Sequence, residues 1–280
     1  MDKLLIKGPC KLKGQVFISG SKNAALPILA STILFDKTVT IENLPRVKDV
    51  DTMISLIKYL GSNIKFSNNK KTVKITKRKK KKFLAPYSLV KTMRGSILSL
   101  GALITKNRKA IISLPGGCSI GARPINYHLN ALKKLGMKYE IKKGYIHASS
   151  LGKLQGSIIK FSKISVGATE NLIIAACLAI GKTTLKNCAI EPEIKYDLTR
   201  FLNQAGAKIK WTGKRTCQII GVNSLKEIKY SIMSDRIEAG TFCVAACLNS
   251  GDLIIKNINY KIISTELNLL KKAGAIIKTI

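Results

Sequence analysis

The sequence predicts an α/β protein assembled from copies of one helix–strand–helix–strand unit. Three observations carry that prediction. An amphipathic helix that ends in Leu-Gly or Ala-Gly and runs into a short strand occurs four times, with its glycines at Gly61, Gly136, Gly206 and Gly274. A second helix, richer in Ala, Leu and Ile on most of its sides, precedes each of these units. The 280 residues are 46% hydrophobic, enough for a substantial core, which excludes a disordered chain. Self-similarity at a spacing of this size implies a symmetric architecture, and the length fits one large domain or two ordinary ones.

The elements follow in order. The first copy has an apolar helix in SKNAALPILASTILF (21–35), a strand in KTVTIENL (37–44) and the amphipathic helix and strand of DTMISLIKYLGSNIKF (51–66). The second has VKTMRGSILSLGALI (90–104), KAIISLPG (109–116) and INYHLNALKKLGMKYEI (125–141). The third has SVGATENLIIAACLAI (165–180), KTTLKNCA (182–189) and IKYDLTRFLNQAGAKIKW (194–211). The fourth has SDRIEAGTFCVAACL (234–248), DLIIKNIN (252–259) and STELNLLKKAGAIIKT (264–279). All four apolar helices should be buried, because they lack a polar face. The four glycines fit the position after a helix, where the chain needs positive φ. The fourth copy reaches the end of the sequence with its strand, so an uncovered edge and apolar face are expected there.

Charge and cysteine content narrow the class. Lys and Arg number 49 against 15 Asp and Glu, a formal charge of +34 that attracts polyanions such as nucleic acid, acidic lipid or phosphorylated small molecules. The lysines are spread along the whole chain beside abundant Ile and Asn, a pattern that A- and T-rich codons produce. RKKKK (78–82) reads as a solvated loop, and no aromatic residue interleaves it to stack on single-stranded nucleic acid. Seven Cys without a CxxC pair, and two His, supply a zinc site poorly; reduced thiols in a cytosolic protein fit better. MDKLLIKGP is too short and polar for a signal peptide, and the longest apolar run, 172–180, is about half a membrane span. A cytoplasmic protein with no membrane segment is expected.

Gly181-Lys182-Thr183-Thr184 looks like the end of a phosphate-binding loop, but the glycine required five positions earlier is Ala176. Four other segments carry chemistry. LPGGCSIGARP (114–124) is a Gly- and Pro-rich loop holding Cys118 and Arg123, and a neighbouring cation favours the reactive thiolate. ISGSKNAALP (18–27) places Lys22 and Asn23 at a helix N-terminus, which offers backbone N–H groups, a dipole and an ammonium to an anion. Arg94 lies within the apolar KTMRGSILSLG. KISVGATENL (163–172) has Ser165 or Thr169 available to cap a helix.

Together with LPRVKDVDTM, APYSLVKTMRGSI, EPEI and DRIEAGTF, these segments give the chain a resemblance to the UDP-N-acetylglucosamine enolpyruvyl transferases (1-carboxyvinyltransferases) that runs from Met1 to Ile280. The resemblance implies an inside-out α/β barrel fold of the enolpyruvyl transferase type, with pseudo-threefold repeats in each of two domains. One domain is expected to be incomplete: residues 1–20 and 230–280 form part of the first, and 21–229 the whole second with the Cys118 loop. It further implies transfer of the enolpyruvyl group of phosphoenolpyruvate to the 3-hydroxyl of UDP-N-acetylglucosamine, with release of phosphate, as the first committed step toward peptidoglycan. No metal and no organic cofactor is implied. By position, Cys118 matches the residue that protonates or captures the enolpyruvyl carbon. Lys22, Asn23 and Arg123 match phosphoenolpyruvate contacts. Asn23, Arg94, Arg123, Pro124, Ile125, Asn126 and Tyr127 match nucleotide-sugar contacts, as do Lys163, Ile164, Ser165, Val166 and Gly167. Family members usually have an acidic residue where Asn126 stands. They also carry six modules, against four counted here, with a catalytic Asp and further Arg residues in the remainder; the implied partners are the two substrates, and a second polypeptide could supply those modules. The competing readings are an inactive remnant or one half of a split enzyme, a shikimate-pathway enolpyruvyl transferase, and a basic nucleic-acid-binding protein.

Overall fold

A computed structural model describes residues 3–67, 69–76, 82–91, 93–114, 124–248 and 250–279. The chain forms two compact units, Met1–Ser21 with Ser234–Ile280, and Lys22–Met233. It begins with β1 (Lys13–Phe17) of the first unit and then builds the second unit completely before returning.

The second unit repeats one arrangement three times. The first copy contains α1 (Lys22–Ser31), β2 (Val39–Glu42), α2 (Lys48–Tyr59), β3 (Asn63–Phe66) and β4 (Val73–Thr76). The second contains β5 (Leu84–Ala85), α3 (Tyr87–Val90), a 3-10 turn at Arg94–Ile97, α4 (Leu98–Asn107), β6 (Lys109–Ser113), α5 (Asn126–Lys134), β7 (Lys138–Lys142) and β8 (Tyr145–Ser149). The third contains β9 (Ile158–Lys160), α6 (Val166–Ala176), β10 (Lys182–Lys186), α7 (Thr199–Gln204), β11 (Lys208–Gly213) and β12 (Thr216–Ile220), and β13 (Ile228–Ser231) follows. The three four-stranded sheets share one order: β13-β2-β4-β3, β5-β6-β8-β7 and β9-β10-β12-β11. In each, the first pair is parallel and the others antiparallel. The last strand of the unit, β13, therefore pairs beside β2 of the first copy, and the ring of repeats closes on itself.

Burial explains the layering. α1, α4 and α6 pack on one another and bury nearly every residue, as their all-round apolar sequences require. The sheets lie outside them: β4, β10 and β12 alternate buried and exposed residues, one face on the helices and the other in water. This is the expected architecture of helices inside and sheets outside. Gly61, Gly136, Gly206 and Gly274 all adopt positive φ, between 96° and 105°, which lets each amphipathic helix turn sharply into its strand. Phe201 is fully buried between Phe35, tilted at 40°, and Tyr230, met edge-on at 74°, with centroids 5.7 and 5.3 Å away.

The first unit holds α8 (Arg236–Leu248), β14 (Asp252–Lys256) and α9 (Ser264–Lys272), with β14 parallel to β1. Here two expectations are corrected. The apolar helix α8 is not buried: Ala239 alone is buried within it, and Leu248 is 78% exposed. Its small cluster around Ile18, Ala239 and Ile263 offers too few partners. The segment 275–279 is not a strand, because among the described residues it lacks the antiparallel neighbour that β4, β8 and β12 give to β3, β7 and β11. A third correction lies in the second unit: the helix expected over 194–204 begins as a π-helix at Glu193–Leu198 and becomes α-helical only from Thr199. Among the described residues no helix is long and apolar enough to cross a membrane. The described cysteines are all free thiols. Of the basic run, Lys82 is described, with its ammonium 4.5 Å from the Tyr59 ring centroid.

Candidate functional site

The expected anion-binding residues fall at helix starts of the second unit. Lys22 opens α1, and its ammonium lies 3.3 Å from Asp49 Oδ2 in the first turn of α2. Both side chains are more than a third exposed, so the pair is screened and exchangeable. Asn23 follows, exposed. Arg94 is half-buried at the head of the 3-10 turn, rather than inside the α-helix expected there. That turn rests directly on α1: a methyl added at Gly95 would stand 3.1 Å from Leu26 Cδ1.

Two further segments form the starts of α5 and α6. Pro124 and Asn126 are exposed, while Ile125 and Tyr127 are half-buried and packed on the core. The Ile125 carbonyl accepts from the His128 and Leu129 amides at 2.9 and 3.2 Å, turning the chain into α5. Lys163, Ile164 and Val166 are exposed around Ser165, which caps α6 as expected by accepting from the Ala168 amide at 3.3 Å. Thr169 is no cap; its hydroxyl donates to the Ser165 carbonyl at 2.8 Å and accepts from the Ala189 amide at 3.1 Å. Cys118 and Arg123 lie outside the described residues, as does the rest of 115–123; β6 ends just before that segment and Pro124 follows it.

The residues that draw these segments together were not among the sequence candidates. Asn171, fully buried in α6, donates to the Ile97 carbonyl and to His128 Nδ1, both at 3.0 Å, and accepts from the Gly101 amide at 2.8 Å. It thus binds the Arg94 turn, α4 and α5 to α6. The His128 ring also lies against Gly167, whose added methyl would be 3.1 Å from Cε1. The visible signal was a polar Glu-Asn pair, Glu170-Asn171, at the front of an apolar helix.

Electrostatics divide the polar groups into silent and responsive ones. Burial pushes His128 down to about 4, so the imidazole is neutral. Glu170 is held well above the usual carboxylate range, first by burial and then by the charges of Glu193 and Glu191. Burial likewise raises Asp197, in the π-helix, to about 6, although the Tyr230 hydroxyl and the Met233 amide donate to its carboxylate at 2.6 and 3.2 Å. Cys177 and Cys188 are pushed up to about 12 by burial, which makes them poor nucleophiles at neutral pH.

Residues 6–279 match the family described as EPSP synthase (3-phosphoshikimate 1-carboxyvinyltransferase). The chain is 62% identical over 275 residues to the UDP-N-acetylglucosamine 1-carboxyvinyltransferase of Pelagibacter ubique, covering 98% of this chain and 65% of that protein. It is 45% identical over 278 residues to the protein of the same name from Endomicrobium trichonymphae, covering 99% of this chain and 66% of the relative. The chain therefore spans just under two thirds of the length of these curated relatives. Among solved structures, it resembles the enolpyruvyl transferase NikO from Streptomyces tendae, with a TM-score of 0.83 at 22% identity, over 98% of this chain and 65% of the other. It also resembles EPSP synthase from Acinetobacter baumannii, with a TM-score of 0.77 at 17% identity, over 96% and 61%. At these identities the structural likeness speaks for the fold alone.

Proposed function

The chain belongs to the EPSP synthase family, and we propose that it serves the transfer of an enolpyruvyl group from phosphoenolpyruvate to the 3-hydroxyl of UDP-N-acetylglucosamine. The observation that supports this reading most is the convergence, around His128, of the helix starts at Asn126 and Val166. Two exposed N-termini side by side suit an extended anionic ligand, because their orphan N–H groups and dipoles favour negative charge. Residues 123–127 take the uridine end of the nucleotide sugar and 163–167 its diphosphate and uridine, with Arg94 alongside. The three-copy unit carries the role of the second domain, and residues 1–20 with 230–280 begin the first.

The chemistry follows from the charges. Lys22 and Arg123 offset the phosphate and carboxylate of phosphoenolpyruvate, with Asn23 bridging toward the sugar. The Cys118 thiol delivers a proton to the methylene carbon, which makes the adjacent carbon electrophilic; such general acid help contributes about 10²–10⁴ in rate. The sugar 3-oxygen bonds to that carbon and its proton passes to a base. The methyl carbon then gives up a proton, the bond to the phosphate oxygen breaks, and the enol ether and inorganic phosphate leave. The base and further Arg groups would come from a polypeptide segment beyond these 280 residues. The setting is cytoplasmic synthesis of a cell-wall precursor, and through it cell shape and division.

The test is titration calorimetry of the full chain with UDP-N-acetylglucosamine, paired with intact mass after exposure to the epoxide fosfomycin. Saturable heat and one adduct that Cys118→Ser abolishes would support the reading. Absence of both would refute it. Binding of shikimate 3-phosphate without the nucleotide sugar would reassign the chain to the other branch of its family.

A further inference from the structure

We propose that His128 and Asn171 form a positioning pair that holds residues 124–127 and 163–167 in register for a nucleotide diphosphate; the inference rests on the nucleotide-sugar reading above. Neither residue is assigned a ligand contact. Their geometry fixes their roles. The Gly101 amide can only donate and the Ile97 carbonyl can only accept, so the Asn171 side chain has one permitted orientation, oxygen toward Gly101 and nitrogen toward Ile97. Its second N–H then points at His128 Nδ1, which must accept, and the imidazole carries its proton on Nε2. An imidazolium would set N–H against N–H, so the contact requires the neutral ring.

The pair is also sterically closed. A methyl at Gly167 would meet His128 Cε1 at 3.1 Å and Nε2 at 3.3 Å, so the ring edge lies on the backbone of the 163–167 segment. Within one residue of Tyr127, the same ring anchors the 124–127 segment. Since Ile97 ends the turn that Arg94 begins, Asn171 sets the place of that cation too. One buried amide and one imidazole thus determine the separation of three elements that would each touch the ligand. A loss of either leaves a buried donor unmatched and lets the two helix starts drift, which weakens binding without removing a ligand contact.

The experiment uses the full chain and UDP-N-acetylglucosamine as probe, with His128→Phe, which removes the acceptor, and His128→Gln, whose amide oxygen restores it. Calorimetry well below the melting temperature is expected to show about tenfold weaker binding for His128→Phe and a return to within about threefold of wild type for His128→Gln. His128→Leu replaces His128→Phe if the latter does not fold, with the same expectation. Unchanged affinity in either apolar variant overturns the proposal, as does a well-folded His128→Gln that binds as weakly as they do. Should wild type itself give no heat, ligand-free hydrogen exchange judges the pair separately; no heat together with no fosfomycin adduct refutes the function proposed above. Faster exchange of the Gly167 and Ala168 amides in the apolar variant sustains the pair, and unchanged exchange overturns it.

Discussion

Replacing Gly101 by Ala sets two well-known effects against each other at one position. In a helix interior Ala is favoured over Gly by about 1 kcal/mol, so propensity alone predicts stabilisation. The structure predicts the reverse. The new methyl would stand 2.6 Å from the Asn171 backbone oxygen and closer still to the Asn171 side-chain oxygen. α4 and α6 must therefore separate by roughly 1 Å, which stretches the 2.8 Å bond from the Gly101 amide to Asn171. Overpacking costs about 1–3 kcal/mol and the weakened buried hydrogen bond about 1–3 kcal/mol. Set against the propensity gain, the net loss is about 1–5 kcal/mol, or roughly 2–20 °C in melting temperature for a unit of this size. Urea unfolding followed by the fluorescence of Trp211, the one Trp in the chain, reads it directly, since that indole packs on the core of the same unit. Gly240→Ala in α8 is the control: its methyl meets open space, and a gain of up to about 1 kcal/mol is expected there by calorimetry. A Gly101→Ala chain as stable as wild type would refute the close α4–α6 contact on which the site depends.

Further outcomes are expected elsewhere. Asp197→Asn should change the pH dependence of stability. The carboxyl of Asp197 is raised by burial to about 6 from an ordinary 3.8, so the folded chain binds its proton more tightly than the unfolded one, and wild type loses stability as pH rises through that window. The variant should lack this loss, and its stability relative to wild type should improve by up to about 3 kcal/mol between roughly pH 4 and pH 7, read from urea midpoints. A pH-independent difference would contradict the assignment. Lys22→Ala should change stability by less than about 0.5 kcal/mol, since its pair with Asp49 is solvated. The same variant should weaken phosphoenolpyruvate binding in the presence of nucleotide sugar by about tenfold or more, measured by calorimetry. Phe201→Ala should cost about 3–5 kcal/mol, because this fully buried ring touches both Phe35 and Tyr230. A loss below about 1 kcal/mol in chemical unfolding would mean that this aromatic cluster does not form.

What the sequence made legible was the information that repeats locally. Helix ends at Gly61, Gly136, Gly206 and Gly274 were readable because a positive φ selects glycine whatever the surroundings. The Ser165 cap was readable because it satisfies an amide three residues away. The pairing of β13 with β2 was not, since it joins residues nearly two hundred positions apart and leaves no local trace. The π-helix at Glu193–Leu198 was hidden because a helical apolar pattern does not report one inserted residue; its consequence is to aim Asp197 at Tyr230 and Met233. The exposure of α8 was misread for the converse reason: an apolar sequence states what a helix would bury, and not whether a partner is present. Among the residues proposed to meet the ligand, Lys22, Asn23, Arg94, 124–127 and 163–167 belong to local sequence motifs. His128 and Asn171 were not legible, because their meaning lies in a tertiary contact 43 residues apart.

The most direct measurement is hydrogen exchange of the full chain with and without UDP-N-acetylglucosamine. The account predicts slowed exchange at the amides of 125–128 and 163–168 together, with the outer strands β3, β7 and β11 unchanged. Exchange that is identical in both samples at these two helix starts, or slowed at one and not the other, would contradict it.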